Sequence, residues 1–88
     1  MAATLEVEVV SPEKLLFTGT ATMVVTRTLG GGDIAFMAGH QPFLAALATG
    51  TTKLFLEGGS TQSIHVRGGF VSVDGKRVTI LSDEAELA

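Results

Sequence analysis

Eighty-eight residues are enough for one small domain and too few for two independently stable cores. Apolar residues make up 45% of the chain, which excludes disorder, but charged residues reach only 17% against a usual value of about 25%. A net charge of −3 with six Lys and Arg leaves no basic stripe for nucleic acid, and the lack of cysteine removes disulfides, Cys-based zinc sites and a thiol nucleophile.

No apolar run approaches the roughly 18–20 residues that span a bilayer. The opening Met1-Ala2-Ala3-Thr4-Leu5-Glu6 lacks the basic and then apolar stretch of a secretory signal, so a soluble chain kept on the synthesis side of any membrane is expected. A chain this short buries only about 60% of its unfolded surface. With few charges to cover the remainder, the skin is apolar for a free monomer, and a permanent partner is expected.

The predicted elements are strands. Leu5-Glu6-Val7-Glu8-Val9 alternates with period two, as a half-buried strand does, and Ser11-Pro12 breaks it. Lys14 to Gly19 is a short second strand, and Ala21-Thr22-Met23-Val24-Val25-Thr26 a third, closed by the Leu29-Gly30-Gly31-Gly32-Asp33 turn. Ile34-Ala35-Phe36-Met37 is brief and apolar and ends at Gly39-His40-Gln41-Pro42. Phe43 to Ala48 contains good helix formers but is too short for a helix, so a strand or a single turn is expected. Thr51 to Glu57, Thr61 to Arg67, Gly68 to Val73 and Arg77 to Ser82 follow as strands, with Gly58-Gly59 and Asp74-Gly75 as hairpin turns. Asp83 to Ala88 reads as the first turn of a helix, with Asp83 as its cap and acids at its positive end. Short, evenly spaced strands predict an all-β fold, an antiparallel sandwich or barrel, as one domain over residues 1–88.

Several strands lack a polar outer face. Met23-Val24-Val25, Leu54-Phe55-Leu56 and Val78-Thr79-Ile80-Leu81 place apolar groups on both sides, although only one face of each sheet meets a sandwich core. Another chain is expected to cover part of that surface.

Catalytic constellations are weak. Gly30-Gly31-Gly32-Asp33 lacks the ending of a P-loop and opens no helix, so a tight turn is expected there rather than a phosphate cradle. His40 could hold a metal or move a proton, but its place between Gly39 and Pro42 is explained by loop geometry or an interface hydrogen bond. His65 lies between Ile64 and Val66 and should point away from both. The serines carry no nucleophile-elbow pattern, and Asp74 is simply a turn residue before Gly75. Gly68-Gly69 within a strand run signals a bulge or the close approach of another backbone. No enzyme, cofactor or metal site is expected.

Gly32-Asp33-Ile34-Ala35-Phe36-Met37-Ala38-Gly39-His40-Gln41-Pro42-Phe43-Leu44 resembles the G-[DE]-[IL]-G-[IV]-x-P-G-H-x-P-[LF]-[LI] segment of the epsilon subunit of F-type ATP synthases. Val66 to Val73 is similar to that family's V-x-G-G-[FI]-x-x-V strand, and Val78 to Ala85 to its V-T-[IV]-L-[AS]-[DE]-x-A close. Val9-Val10-Ser11-Pro12-Glu13 and Phe17-Thr18-Gly19 agree as well, so the likeness covers nearly the whole chain in the family's order.

The resemblance implies an antiparallel β-sandwich of about ten short strands in the central rotor, binding the gamma subunit and resting on the c ring so that proton or sodium-ion transport is coupled to ATP synthesis. It implies a non-catalytic subunit without cofactor. The subunit would be peripheral at the cytoplasmic face of a bacterial inner membrane, or the equivalent organelle face, without inserting into lipid. By position, Asp33 with Gly32 at the tip of the glycine turn matches the c-ring contact, and Ser11, His40 and Ala45 match contacts with gamma. Ala38 stands for the family's proline, which loosens the loop before Gly39; Ala35 stands for its glycine, and Gly30-Gly31-Gly32 is a more flexible run than usual. The family normally continues into a regulatory helical hairpin from about where Ala88 stands, and neither inhibition nor ATP binding carries over to these residues. The competing expectation is a small self-associating or ligand-binding sandwich, although no Trp or Tyr offers a sugar a stacking platform.

Overall fold

The computed structural model describes residues 3–87, and among them are nine β-strands and no helix. The strands are β1 (Leu5–Val10), β2 (Leu15–Thr28), β3 (Gly32–Phe36), β4 (His40–Ala46), β5 (Gly50–Leu56), β6 (Thr61–Arg67), β7 (Phe70–Gly75), β8 (Arg77–Leu81) and β9 (Glu84–Leu87). They follow one hydrogen-bonded order, β4-β7-β8-β1-β2-β5-β6-β9, with β3 also on β2.

The long strand β2 makes this a sandwich. Its first half pairs with β1 from Leu15 to Ala21, and its second half pairs with β5 and β3 from Ala21 to Thr28. Register shifts near Ala21, so β2 passes from one layer to the other without ending. The first layer is β4-β7-β8-β1 with the start of β2; the second is β3, the end of β2, β5, β6 and β9. The two short strands expected over Lys14 to Gly19 and Ala21 to Thr26 are thus one element of 14 residues. The described residues carry nine strands, in keeping with the expected sandwich of about ten.

Period-two alternation builds the core. Leu5, Val7 and Val9 face inward from β1, Val71 and Val73 from β7, and Val78 and Ile80 from β8. They meet Val24, Leu54, Ile64 and Val66 of the second layer. Phe36 of β3 is fully buried and packs at 5.5 Å, ring to ring, on Phe43 of β4. Each such side chain contributes about 1.5–3 kcal/mol when removed from water.

Thr26 and Thr52 face one another inside this apolar core, both fully buried, with hydroxyl oxygens 2.8 Å apart. Each satisfies the other, and among the described residues no buried side-chain nitrogen or oxygen lacks a partner. Thr26→Val alone leaves the Thr52 hydroxyl unpaired and is expected to destabilise the fold by about 1–3 kcal/mol. Adding Thr52→Val should recover most of that loss. Urea unfolding of the two single variants and the double checks this, and strictly additive losses would contradict it.

The expected helical tail is a strand instead. β9 pairs with β6 through Ile64↔Leu87, His65↔Glu86, Val66↔Ala85 and Arg67↔Glu84. Ala85 packs against the core, the Arg67 guanidinium lies 3.4 Å from Glu84, and the Ser82 hydroxyl donates to the Glu84 carbonyl at 2.7 Å. A ladder partner with a buried neighbour outweighs weak local helix propensity over a handful of residues. Phe43 to Ala46, left between strand and turn, belongs to β4; Leu47 forms only an isolated bridge to Thr28.

Candidate interaction surface

The outer face of the first layer carries two adjacent cross-strand rows. One reads Ala46, Phe70, Leu81 and Val10 across β4, β7, β8 and β1; the next reads Leu44, Ser72, Thr79 and Glu8. Leu44 is 71% exposed, Phe70 54% and Leu81 52%. Their neighbours Val71 and Ile80 point into the core, so the alternation that fills the core also forces Phe70 and Leu81 outward. Leu29, 70% exposed in the β2–β3 hairpin, is tied to the same end by its N–H donating to the Ala46 carbonyl at 3.0 Å.

Leu29, Phe70 and Leu81 border an open, mainly apolar groove of about 680 Å³, whose walls also include Ser11 and Pro12. Its floor is held by backbone bonds. The Leu47 N–H donates to the Gly69 carbonyl at 2.8 Å and the Ser82 N–H to the Val10 carbonyl at 3.0 Å. Gly69 lies so close to the end of β8 that an added Cβ would overlap the Leu81 carbonyl oxygen. The close backbone approach expected at Gly68-Gly69 is therefore real. Contiguous exposed apolar surface of this kind makes this end of the first layer the candidate docking surface.

Ser11 sits at the groove's edge in a tight turn, its N–H donating to the Lys14 carbonyl at 2.9 Å. Ala45 lies in β4, next to Leu44, but packs against the core rather than outward. His40 opens β4 opposite Gly75, at the far end of the strand from the groove; its side chain lies outside the described residues. The structure thus brings Ser11 and the end of β4 together and sets His40 apart. Leu29, Leu44 and Phe70 escaped sequence reasoning. Their signal was each residue's place one step out of phase with a buried neighbour, which is visible only once the layers are known.

Of the three stretches expected to be apolar on both faces, only the one in β8 bares a large group, Leu81. Met23, Val25 and Phe55 are half-buried, because Met23 faces Phe55 and Val25 faces Ala35 across neighbouring strands. Leu56 packs on the core.

Asp33 is not at the tip of the glycine turn. The turn is Leu29-Gly30-Gly31, tied by the buried Thr28 hydroxyl, which donates to the Gly32 carbonyl and accepts from the Gly31 N–H, each at 3.1 Å. Gly32 begins β3, and Asp33 lies in that ladder directly opposite Arg27. The Arg27 Nε donates to Asp33 Oδ1 at 3.1 Å, and its Nη2 lies 3.5 Å from Oδ2. Hydrogen bonding and charge from Arg27, with a smaller contribution from Lys53, hold the Asp33 carboxyl below its ordinary value of 3.8. A depressed carboxyl value means that the pair's stabilisation is present above that ordinary value and is lost as pH falls through the lowered one.

His65 points away from Ile64 and Val66, as expected, and shares a hydrogen bond with the Thr51 hydroxyl at 3.2 Å. Among the described residues no three of His, Cys, Asp and Glu gather as metal ligands, and no helix is long and apolar enough to cross a membrane.

Residues 4–88 match the family model described as ATP synthase, Delta/Epsilon chain, beta-sandwich domain. The chain is 42% identical over all 88 residues to the ATP synthase epsilon chain of Streptomyces avermitilis, covering 70% of that protein. It is 43% identical over 83 residues to the epsilon chain of Frankia casuarinae, covering 94% of this chain and 96% of that one. Among solved structures, a chain of the Euglena gracilis mitochondrial ATP synthase (OSCP, F1 and c-ring) superposes with a TM-score of 0.89 at 25% identity. That match spans 97% of this chain but only 54% of the Euglena chain. A chain from the Tetrahymena thermophila mitochondrial ATP synthase central stalk and c-ring shares the fold, with a TM-score of 0.72 at 19% identity. On this sandwich and these likenesses, the chain belongs to the ATP synthase delta/epsilon-chain β-sandwich family, with epsilon chains among its relatives.

Proposed function

We propose that the chain is a non-catalytic rotor subunit that binds the gamma subunit of an ATP synthase and rests on its c ring, coupling ion transport to ATP synthesis. The observation that carries this reading is the exposed face of Leu44, Phe70 and Leu81 beside the Leu29 groove. A rotor subunit must hold its shaft permanently, and a fixed apolar face on a rigid sheet supplies adhesion without reorganisation. Gamma occupies this face, bordered by Ser11 at one end and by the β4 stretch from His40 to Ala45 along its edge. The likeness to epsilon chains and to a synthase chain at a TM-score of 0.89 supports the choice of partner.

The hairpin that delivers Leu29 to the groove carries Gly32 and Asp33 on toward the second layer. Asp33 meets cationic loops of the c ring, so one hairpin links the shaft contact to the ring contact. The subunit stays peripheral at the membrane face where the catalytic head sits, without lipid insertion of its own.

Asp33→Lys is expected to weaken docking on a c-ring–gamma assembly roughly tenfold, since it sets like charges against each other at the contact. A pull-down with the ring assembly measures this, and unchanged recovery of the variant would refute the ring contact.

A further inference from the structure

We propose that Arg27 is an internal competitor for the carboxylate of Asp33, so that docking on the ring exchanges one cationic partner of Asp33 for another. The proposal rests on the ring contact proposed for Asp33 and adds the element that sets its strength.

In the resemblance alone, Asp33 is a free acid at a loop tip. In the structure it is engaged. Arg27 approaches it through both Nε and Nη2, from the directly opposed position of an antiparallel pair. Lys53 adds a second positive charge from β5, on the other side of β2, close enough to lower the same carboxyl value. With Arg27, Lys53 and Asp33 together the local charge is +1, where a lone acid would give −1. A cationic ring loop approaching Asp33 therefore meets net repulsion at a distance and a filled carboxylate at contact.

Two features make the exchange feasible. The side chains of Arg27 and Asp33 are 56% and 57% exposed, so a partner reaches the carboxylate without opening the core. An exposed ion pair is also a weak competitor, because water and salt screen it. Arg27 thus tempers the ring contact without abolishing it. A rotor foot that must seat firmly on gamma and adjust on the ring is served by an apolar contact at one surface and an exchangeable ionic one at the other.

The test uses the full chain and a purified c-ring–gamma assembly, with affinities measured at roughly 20 mM and roughly 300 mM salt. The variants are Arg27→Gln, Asp33→Asn and the double. Arg27→Gln is expected to tighten docking about threefold to fivefold at low salt, the scale of an exposed ion pair, and to lose that gain at high salt. The gain should vanish when Asp33→Asn is also present. Docking that is unchanged or weaker in Arg27→Gln, while Asp33→Asn weakens it, overturns the competition and leaves the ring contact standing. No effect of Asp33→Asn removes the ring contact itself. A melting midpoint for Arg27→Gln within a few degrees of the parent confirms that binding, not folding, is being read.

Discussion

Replacing Gly69 with alanine is expected to lower the stability of the domain by about 3 kcal/mol or more, or to prevent folding. The new Cβ would overlap the Leu81 carbonyl oxygen and approach the Ser82 Cα to 2.7 Å, all backbone atoms that no rotamer change can move. The position also has φ of +106°, which side-chain-bearing residues rarely adopt. For a domain of this size each kcal/mol shifts the midpoint by about 4–8 °C, so a fall of roughly 12–24 °C is expected. Gly68→Ala is the control. Its φ is +69°, but a Cβ there meets nothing within 4 Å, so only backbone strain of about 1 kcal/mol is expected. Thermal melts of the two variants check this, and equal losses would show that clash with β8 is not the cause. Because Gly69 also lines the groove, its tight seat on β8 is what fixes Phe70 beside Leu81.

The second large effect is on binding. Leu44→Asp combined with Phe70→Asp places two charges among the exposed apolar groups of β4 and β7. Affinity for gamma is expected to fall at least 100-fold, about 2.7 kcal/mol, within the range of interface anchor residues. The fold should tolerate both changes, because the side chains are 71% and 54% exposed and contribute little to the core. A melting midpoint within a few degrees of the parent confirms this. Thr61→Asp, exposed on the second layer, should leave gamma binding unchanged. Binding of the double variant within threefold of the parent would move the gamma contact off this face.

Much of the fold was legible because it depends on local chemistry. Alternation in Leu5 to Val9 and around Ile64 and Val66 assigned both the strands and their buried sides. The glycine pairs at 58–59 and 68–69 marked a hairpin and a close backbone approach. What was not legible depends on partners distant in sequence. β2 reads as two strands because Gly19 lowers β propensity locally. The ladders to β1 and β5 on its two halves keep it continuous. The acidic tail reads as a helix start until Ile64 and Val66 are seen to offer it a buried neighbour.

The candidate surface divides in the same way. An apolar skin was implied by the low charge count, but its address was not. Met23 and Phe55 shield one another across strands and Val25 is flanked by Ala35, whereas Leu44, Phe70 and Leu81 remain exposed. The pairing of Asp33 with Arg27 was also out of reach, since it requires the register of β3 on β2. A six-residue separation alone does not distinguish a turn-tip acid from a ladder residue.

Whether the Leu44–Phe70–Leu81 face holds gamma is read by a calorimetric titration of the chain into purified gamma, with a sizing column run on the same mixture. A one-to-one complex is expected to co-elute, with binding heat that becomes more negative as temperature rises, the signature of apolar surface leaving water. No heat at two temperatures and no co-elution, or a self-assembled chain indifferent to gamma, would contradict the gamma contact.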